Sequence, residues 1–432
     1  MTALRAFLVG LGALLLAAPG CGDATRPNIV LMIGDDHGFP DFGFMGSPYV
    51  QTPKLDTLAA NGTVFLRAYS TGSWCRPSLA TLLTGLYPYQ WNHRVRSLAQ
   101  AHADFDENFA IEDFDTLPRL LASRGYRTFQ AGKYWEGTFE AAGFSDGMVG
   151  AYDMLRPWGG EGAGLGRKTM EPVYDFIDAQ RDDPFFIWFA PMLPHVPHTA
   201  PKEFRQLYRG KQLSGSAARY FAACTWYDHL VGQLLQHIES RGLSEKTLLV
   251  YLSDNGWDQS PTVQHRGRFG SLLGGPKGKT SMYELGVRTP IIFHWPGRVE
   301  SGQRLEALVS TVDLFPTLLD YAGVAIPAGL PGQSLRPWLE GGAGPARRHV
   351  VGSMERLRRA PGSRGELFAD DRAFYIRNPD WYLIDYEDRG TVELYDMRTD
   401  PEQNHDVAAL QPATVEALRE EIASWKLALL PP

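Results

Sequence analysis

The sequence predicts an α/β fold: a large mixed, mostly parallel sheet flanked by helices, then a small antiparallel sheet with a terminal helix. Short apolar runs bounded by glycine or proline alternate with longer helical stretches, the pattern of a doubly wound layer structure. The first of these runs, Asn28 to Ile33, is unbroken, as expected of a parallel strand buried on both faces. Beyond Gly341-Gly342-Ala343-Gly344-Pro345 the pattern changes to strands in direct succession.

The chain opens with Arg5, an apolar run from Phe7 to Ala18, small residues and Cys21. Residues 1–20 have the shape of an export signal and are too short to span a membrane. Ala18-Pro19-Gly20-Cys21 resembles a bacterial lipoprotein cleavage box, which makes Cys21 the expected lipid-bearing first residue. Plain secretion is the alternative. The protein is therefore expected to be exported: periplasmic, anchored at the outer membrane, or secreted.

Residues 21–340 read as the main domain and 341–432 as a C-terminal subdomain. Further strands are expected at 126–131, 185–190, 247–253 and 290–293, with helices at 55–60, 117–124 and 220–240. Trp158 to Gly166 contains GxG spacings but neither follows a strand nor opens a helix. It reads as a mobile loop and not a dinucleotide site. In the C-terminal part, 373–376, 381–386 and 392–395 read as strands. Val415, Leu418, Ile422 and Trp425 form one apolar helical stripe, expected to pack the small sheet against the main domain.

A chain of 432 residues with 44% apolar content buries a core without disulfide or metal staples. Its net charge of −7 lacks the basic footprint of a nucleic-acid binder. A local basic pocket for an anionic substrate remains compatible with it. The three cysteines are Cys21, Cys75 and Cys224. Cys224 lies in a helical stretch and reads as a small core residue.

The chemistry gathers where strands end. The strand at 28–33 runs into Gly34-Asp35-Asp36-His37-Gly38, and that at 247–253 into Asp254-Asn255-Gly256. Ligands of open parallel sheets bind beyond the carboxyl ends of the strands. Three carboxylates and an amide oxygen there would suit Ca²⁺ or Mg²⁺. Either pair alone is equally a turn. A third piece is Ser73-Trp74-Cys75-Arg76-Pro77-Ser78-Leu79-Ala80-Thr81-Leu82-Leu83-Thr84-Gly85. Pro77 suits a first helical turn and Gly85 its stop. Cys75 thus sits at a helix start, where anions are favoured; a buried structural thiol is the plain alternative.

Cys75 to Gly85 resembles the sulfatase signature, in which Cys-x-Pro-Ser-Arg is followed by Ala-x-Leu-Leu-Thr-Gly. Asn28 to Gly38, Gln51 to Ala59, Gly132-Lys133 and Pro194-His195-Val196-Pro197-His198 are similar to that family's segments and follow its order. So are Ser253 to Gly256, Lys279 to Glu284, Asp313 to Thr317 and Glu393 to Asp396. Ordered agreement over roughly residues 26 to 410 is far more specific than one motif.

The resemblance implies an alkaline-phosphatase-like fold and sulfate-ester hydrolysis. It implies that a formylglycine-generating or other sulfatase-maturation enzyme oxidises Cys75 to formylglycine. One hydroxyl of the hydrated aldehyde attacks sulfur, the alcohol leaves, and the second hydroxyl expels sulfate. Asp35, Asp36, Asp254, Asn255 and residue 75 would hold Ca²⁺, with Mg²⁺ the alternative. Lys133 and Lys279 carry over as cations around the sulfate, and His195 as the acid that protonates the leaving alkoxide. His198 carries over as a substrate-side or structural histidine. The implied substrate is a sulfated small molecule or glycan.

Three positions depart from the family pattern. Leu79 replaces an arginine that supports both maturation and the formylglycine site. Arg76 is a nearby cation that could compensate, although neighbouring helix positions face different ways. Trp135 replaces a histidine that contacts nucleophile and sulfate, and Leu285 stands where the family has glycine. Three other readings stay open: a phosphonate or phosphodiester hydrolase with the same centre, a non-catalytic binder of sulfated glycans, and a hydrolase using unmodified Cys75.

Overall fold

The apolar run near the start of the chain becomes β1 (Asn28–Gly34), buried along its whole length. The computed structural model describes residues 26–102, 105–148, 161–180, 183–258, 265–266, 272–273, 277–359 and 367–430. The expected export signal at 1–20 and Cys21 lie outside the described residues. Among the described residues, no helix is long and apolar enough to cross a membrane.

The strands continue as β2 (Thr63–Tyr69), β3 (Arg127–Gly132), β4 (Asp146–Gly147), β5 (Phe185–Ala190), β6 (Thr247–Ser253), β7 (His265–Arg266), β8 (Leu272–Leu273), β9 (Arg288–His294) and β10 (Gln303–Ser310). β7 and β8 form a separate two-stranded ribbon, and the other eight make one sheet in the order β10-β2-β9-β6-β1-β5-β3-β4. The sheet is parallel except at β9, which runs antiparallel to both β2 and β6. β1 lies between β5 and β6 and is parallel to both. The carboxyl ends of β1 and β6 therefore adjoin, Gly34 opposite Ser253.

Helices cover both faces, which is why the central strands carry near-continuous apolar runs. Face one packs α2 (Cys75–Thr84), α3 (Pro88–Ala101), α4 (Leu117–Ala122) and α9 (Leu314–Ala322) onto Ile29, Leu31, Phe186, Trp188 and Val250. Face two packs α1 (Pro53–Ala60), α5 (Glu171–Ala179) and α7 (Gly215–Ser240) onto Val30, Met32, Ile187 and Tyr251. Cys224 is buried in α7, as expected of a core residue. Short helices α6 (Lys202–Gln206), α8 (Glu284–Val287) and α10 (Arg336–Leu339) lie in the connections.

The C-terminal sheet is antiparallel, in the order β11 (Val350–Arg359), β12 (Leu367–Arg377), β13 (Trp381–Tyr386) and β14 (Thr391–Asp396). One face, with Tyr375, Tyr382 and Ile384, packs on Tyr69, Met282 and Val287 of the main domain. The other, with Phe374, Ile376 and Leu383, is covered by Val415, Leu418 and Ile422 of α11 (Pro412–Leu429). The apolar stripe is real, but its expected job needs correcting: α11 caps the outer face, and the sheet docks directly on the main domain.

The glycine-rich loop also differs from expectation. Residues 151–160 lie outside the described residues, but Glu161–Gly164 forms a short 3₁₀ turn. Leu165 behind it is fully buried in the core of face two. Packing of small residues against β3 anchors this end.

β3 ends at Gly132, whose φ of +93° side chains rarely adopt. A Cβ there would lie 2.2 Å from the Ala190 carbonyl oxygen. Gly132→Ala is therefore expected to cost about 2–4 kcal/mol, from left-handed strain plus overpacking. An unchanged denaturation midpoint would contradict this.

Candidate active site

β1 and β6 deliver their turn residues to one spot. Asp36 has a φ of +64°, an uncommon backbone for a non-glycine residue. Its N–H donates to Asp254 Oδ1 at 3.1 Å, and the Asn255 N–H donates to the same oxygen at 2.8 Å. The Asn255 amide donates to Asp36 Oδ1 at 2.7 Å. Ser70, at the end of β2, and Ser78, in α2, both donate to the Asp254 carbonyl, at 2.8 and 2.7 Å. These bonds join two strand ends to the helix that starts at Cys75. As predicted, α2 ends at Gly85, left-handed at φ +69°.

The Cys75 thiol lies 3.9 Å from Asp35 Oδ1 and from Asp36 Oδ1. Lys133, just past β3, is buried; its ammonium pairs with Asp35 Oδ1 and, at 3.2 Å, with Asp254 Oδ2. Lys279 Nζ reaches Asp36 Oδ1 at 2.6 Å, and His195 Nε2 lies 3.5 Å from Asp36 Oδ2. Cys75, Asp35, Asp36, Asp254, Asn255, Lys133, Lys279 and His195 thus converge, although they are spread over two hundred residues. His198 takes no part in these pairs; its ring lies against Tyr220 at 5.6 Å between centroids.

Burial opposes ionisation of Asp35, but the charges of Lys133, His195 and Lys279 overcome it and lower its pKa. Burial, aided by Asp35 and Asp36, raises Asp254 to about 6 despite Lys133. Burial also pushes the Cys75 thiol well up, against the pull of Lys133. His198 falls to about 4, mainly through burial.

Two buried oxygens here, Asp35 Oδ2 and Asn255 Oδ1, receive no hydrogen bond. Buried acceptors without donors are costly and rare. A hard cation would satisfy both, and a set of carboxylate and amide oxygens fits Ca²⁺ or Mg²⁺. Ligand atoms of Asp35, Asp36, Cys75 and His195 also lie within 4.8 Å of one another, which brings His195 closer to the cation position than the sequence suggested.

The departures from the motif have concrete consequences. Leu79 is only 2% exposed and joins the apolar core under α2. Arg76 turns away from the carboxylates. It makes a two-pronged pair with buried Glu136, at 2.7 and 3.0 Å, and donates to the Glu107 carbonyl. It therefore does not take the missing arginine's place beside the acids. Trp135 lies against Lys133, whose ammonium is 5.6 Å from the ring centroid. Sequence reasoning also missed Arg167. Its guanidinium donates to the Met192 carbonyl at 2.8 Å and the His195 carbonyl at 3.3 Å, holding the loop that carries His195.

Fold and centre define a doubly wound α/β protein with a buried thiol, carboxylates and ammoniums gathered at the carboxyl ends of its central strands. The family profile "Sulfatase" matches residues 27–324, and "N-sulphoglucosamine sulphohydrolase, C-terminal" matches 277–426. The chain is 33% identical to mouse (Mus musculus) N-acetylgalactosamine-6-sulfatase over 368 residues, covering 76% of this chain and 68% of that one. It is 32% identical to human (Homo sapiens) arylsulfatase A over 376 residues, covering 76% and 70%. Among solved structures, Ps i-CgsB in complex with k-i-k-neocarrahexaose superposes with a TM-score of 0.73 at 24% identity, covering 94% of each chain. The chain belongs to the sulfatase family, enzymes that hydrolyse sulfuric esters.

Proposed function

We propose that this protein is an exported sulfatase that removes sulfate from a carbohydrate, with residue 75 as formylglycine and a divalent cation, Ca²⁺ or Mg²⁺, at the carboxylates. The observation that carries this reading is Cys75, at a helix start, 3.9 Å from Asp35 Oδ1 and Asp36 Oδ1 in a cluster where Asp35 Oδ2 and Asn255 Oδ1 are buried without donors. The carbohydrate substrate rests on relatives such as the N-acetylgalactosamine-6-sulfatase. A maturation enzyme that acts on Cys75 belongs to the same reading, as does export through residues 1–20 with lipid attachment at Cys21.

In this reading Asp35, Asp36, Asp254 and Asn255 hold the cation. When bound, the cation and the formylglycine supply a metal-activated oxygen nucleophile at neutral pH. The chain's own residues do the rest. Lys133 and Lys279 turn from their carboxylates toward the sulfate oxygens and balance the charge that develops there. Arg167 holds the 192–199 loop so that the His195 imidazole faces the leaving oxygen and delivers a proton to it. Trp135 walls the Lys133 side and keeps water from that ammonium.

His195→Ala tests the acid. The loss is expected to be about 100-fold or more on an alkyl (sugar) sulfate, whose alkoxide needs a proton, and under about ten-fold on nitrophenyl sulfate. Equal losses on the two esters would remove His195 from that role.

A further inference from the structure

The chain is acidic overall, yet residues 202–219 carry five basic residues, Lys202, Arg205, Arg209, Lys211 and Arg219, against one acid, Glu203. Four of them, Lys202, Arg205, Arg209 and Arg219, line one shallow groove of about 400 Å³ with Gln206 and Tyr208. All four are exposed, and none of their side chains has a hydrogen-bonding or ion-pair partner among the described residues. Neighbouring like charges without counter-charges repel one another, so such a groove is maintained against its own electrostatics.

The groove is a built surface. Tyr208 is buried at its floor, with its hydroxyl 2.6 Å from Thr225 Oγ1 of α7 and its ring tilted at 36° to that of Phe221, 6.1 Å between centroids. Phe204 of α6 packs on Trp226. His198 links the groove to the catalytic centre, because its imidazole feels the charges of Asp36 and His195 as well as that of Arg219. α6 begins four residues after His198, and Arg219 is next to Tyr220, the residue on which the His198 ring rests. After burial, the positive charge of Arg219 is among the influences that keep His198 unprotonated. Another hollow, about 700 Å³ beside Leu249 and His294, opens toward the other end of β6 and offers no such continuity.

We infer that the substrate cleft continues past His198 into this groove, where Lys202, Arg205, Arg209 and Arg219 bind a second acidic group of an extended, multiply sulfated oligosaccharide. This rests on the sulfatase reading above and names its substrate class: a polyanionic chain in place of an isolated sulfate ester. Lys133 and Lys279 meet the sulfate that leaves, and the groove meets one that stays.

The test compares wild type with Arg205→Ala/Arg209→Ala/Arg219→Ala, and with the triple Arg→Lys variant as a control for charge. The probes are fluorescently labelled polysulfated maltotetraose, the same sugar with a single sulfate, and nitrophenyl sulfate. Exposed ion pairs each change binding by a factor of about 1.4 to 5. The triple alanine variant is therefore expected to bind the polysulfated probe about ten-fold more weakly and to lose much of the salt dependence of that binding. Any turnover change should fall on KM and not kcat. The singly sulfated sugar and nitrophenyl sulfate should be unaffected, and the lysine variant should stay near wild type. Equal affinity of wild type and the alanine variant for the polysulfated probe would overturn the inference. So would an equal loss on the singly sulfated sugar. Binding that follows the groove while no ester is cleaved would leave the groove standing and sink the hydrolase reading. Cleavage of nitrophenyl sulfate with polysulfated binding indifferent to the arginines would do the reverse.

Discussion

Cys75→Ala is expected to lower kcat for sulfate-ester hydrolysis by about 10⁴-fold or more, the scale seen when a covalent nucleophile is removed. Stability should stay within about 1 kcal/mol of wild type, because only one buried sulfur is lost. That thiol makes no strong bond: it donates to carboxylate oxygens only at 3.9 Å. Thermal unfolding together with turnover separates the two effects. Retained turnover in a folded variant would show that hydrolysis does not pass through residue 75 and would favour another superfamily mechanism.

Removing Asp254 should have the next largest effect. Asp35, Asp36 and Asp254 face Lys133 and Lys279, so three carboxylates meet two ammoniums and one negative charge is left over to attract a cation. Asp254→Asn keeps the shape and cancels that surplus. Asp254→Ala also strands the Asp36 and Asn255 N–H groups that donate to Oδ1, at about 1–3 kcal/mol each. Both variants should bind Ca²⁺ at least about 100-fold more weakly by calorimetry, beyond what loss of a supporting residue costs. Turnover should fall by about 10³-fold, the equivalent of several kcal/mol of charge stabilisation. Asp254→Asn separates the charge effect from misfolding. Wild-type cation affinity and activity in that variant would remove Asp254 from the cation site.

The central strands were legible because burial on both faces leaves an unbroken apolar run, as in β1, β5 and β6. The turn acids beyond them were legible for the same reason: Asp35-Asp36 and Asp254-Asn255 interrupt those runs at their carboxyl ends. β2 and β10 were missed. β10 mixes half-exposed and exposed positions before its buried end, with a register shift between Leu305 and Leu308 that breaks simple alternation. β2 contains Arg67, whose guanidinium pairs with Glu306 of β10, a contact no local pattern announces.

The second layer of the centre was illegible on the same grounds. Arg76 and Glu136 are sixty positions apart, and Arg167 is twenty-eight from the His195 carbonyl it holds. Neither pairing has a periodicity to betray it. The cations of residues 202–219 were visible as letters, but only the fold shows that they share a groove and lack acids. Leu79 is the opposite case. The sequence flagged it as a departure, and the structure gives it an ordinary apolar role, while Arg76, paired with Glu136, does not stand in for the missing cation.

That last point makes the state of residue 75 the most direct measurement. Protein purified from its native host is labelled with an aldehyde-reactive hydrazide, digested, and the peptide spanning Cys75 sequenced by mass spectrometry. The account predicts a hydrazone at residue 75, which requires that Leu79 does not block maturation. An unmodified thiol throughout, with no hydrazone, would contradict it.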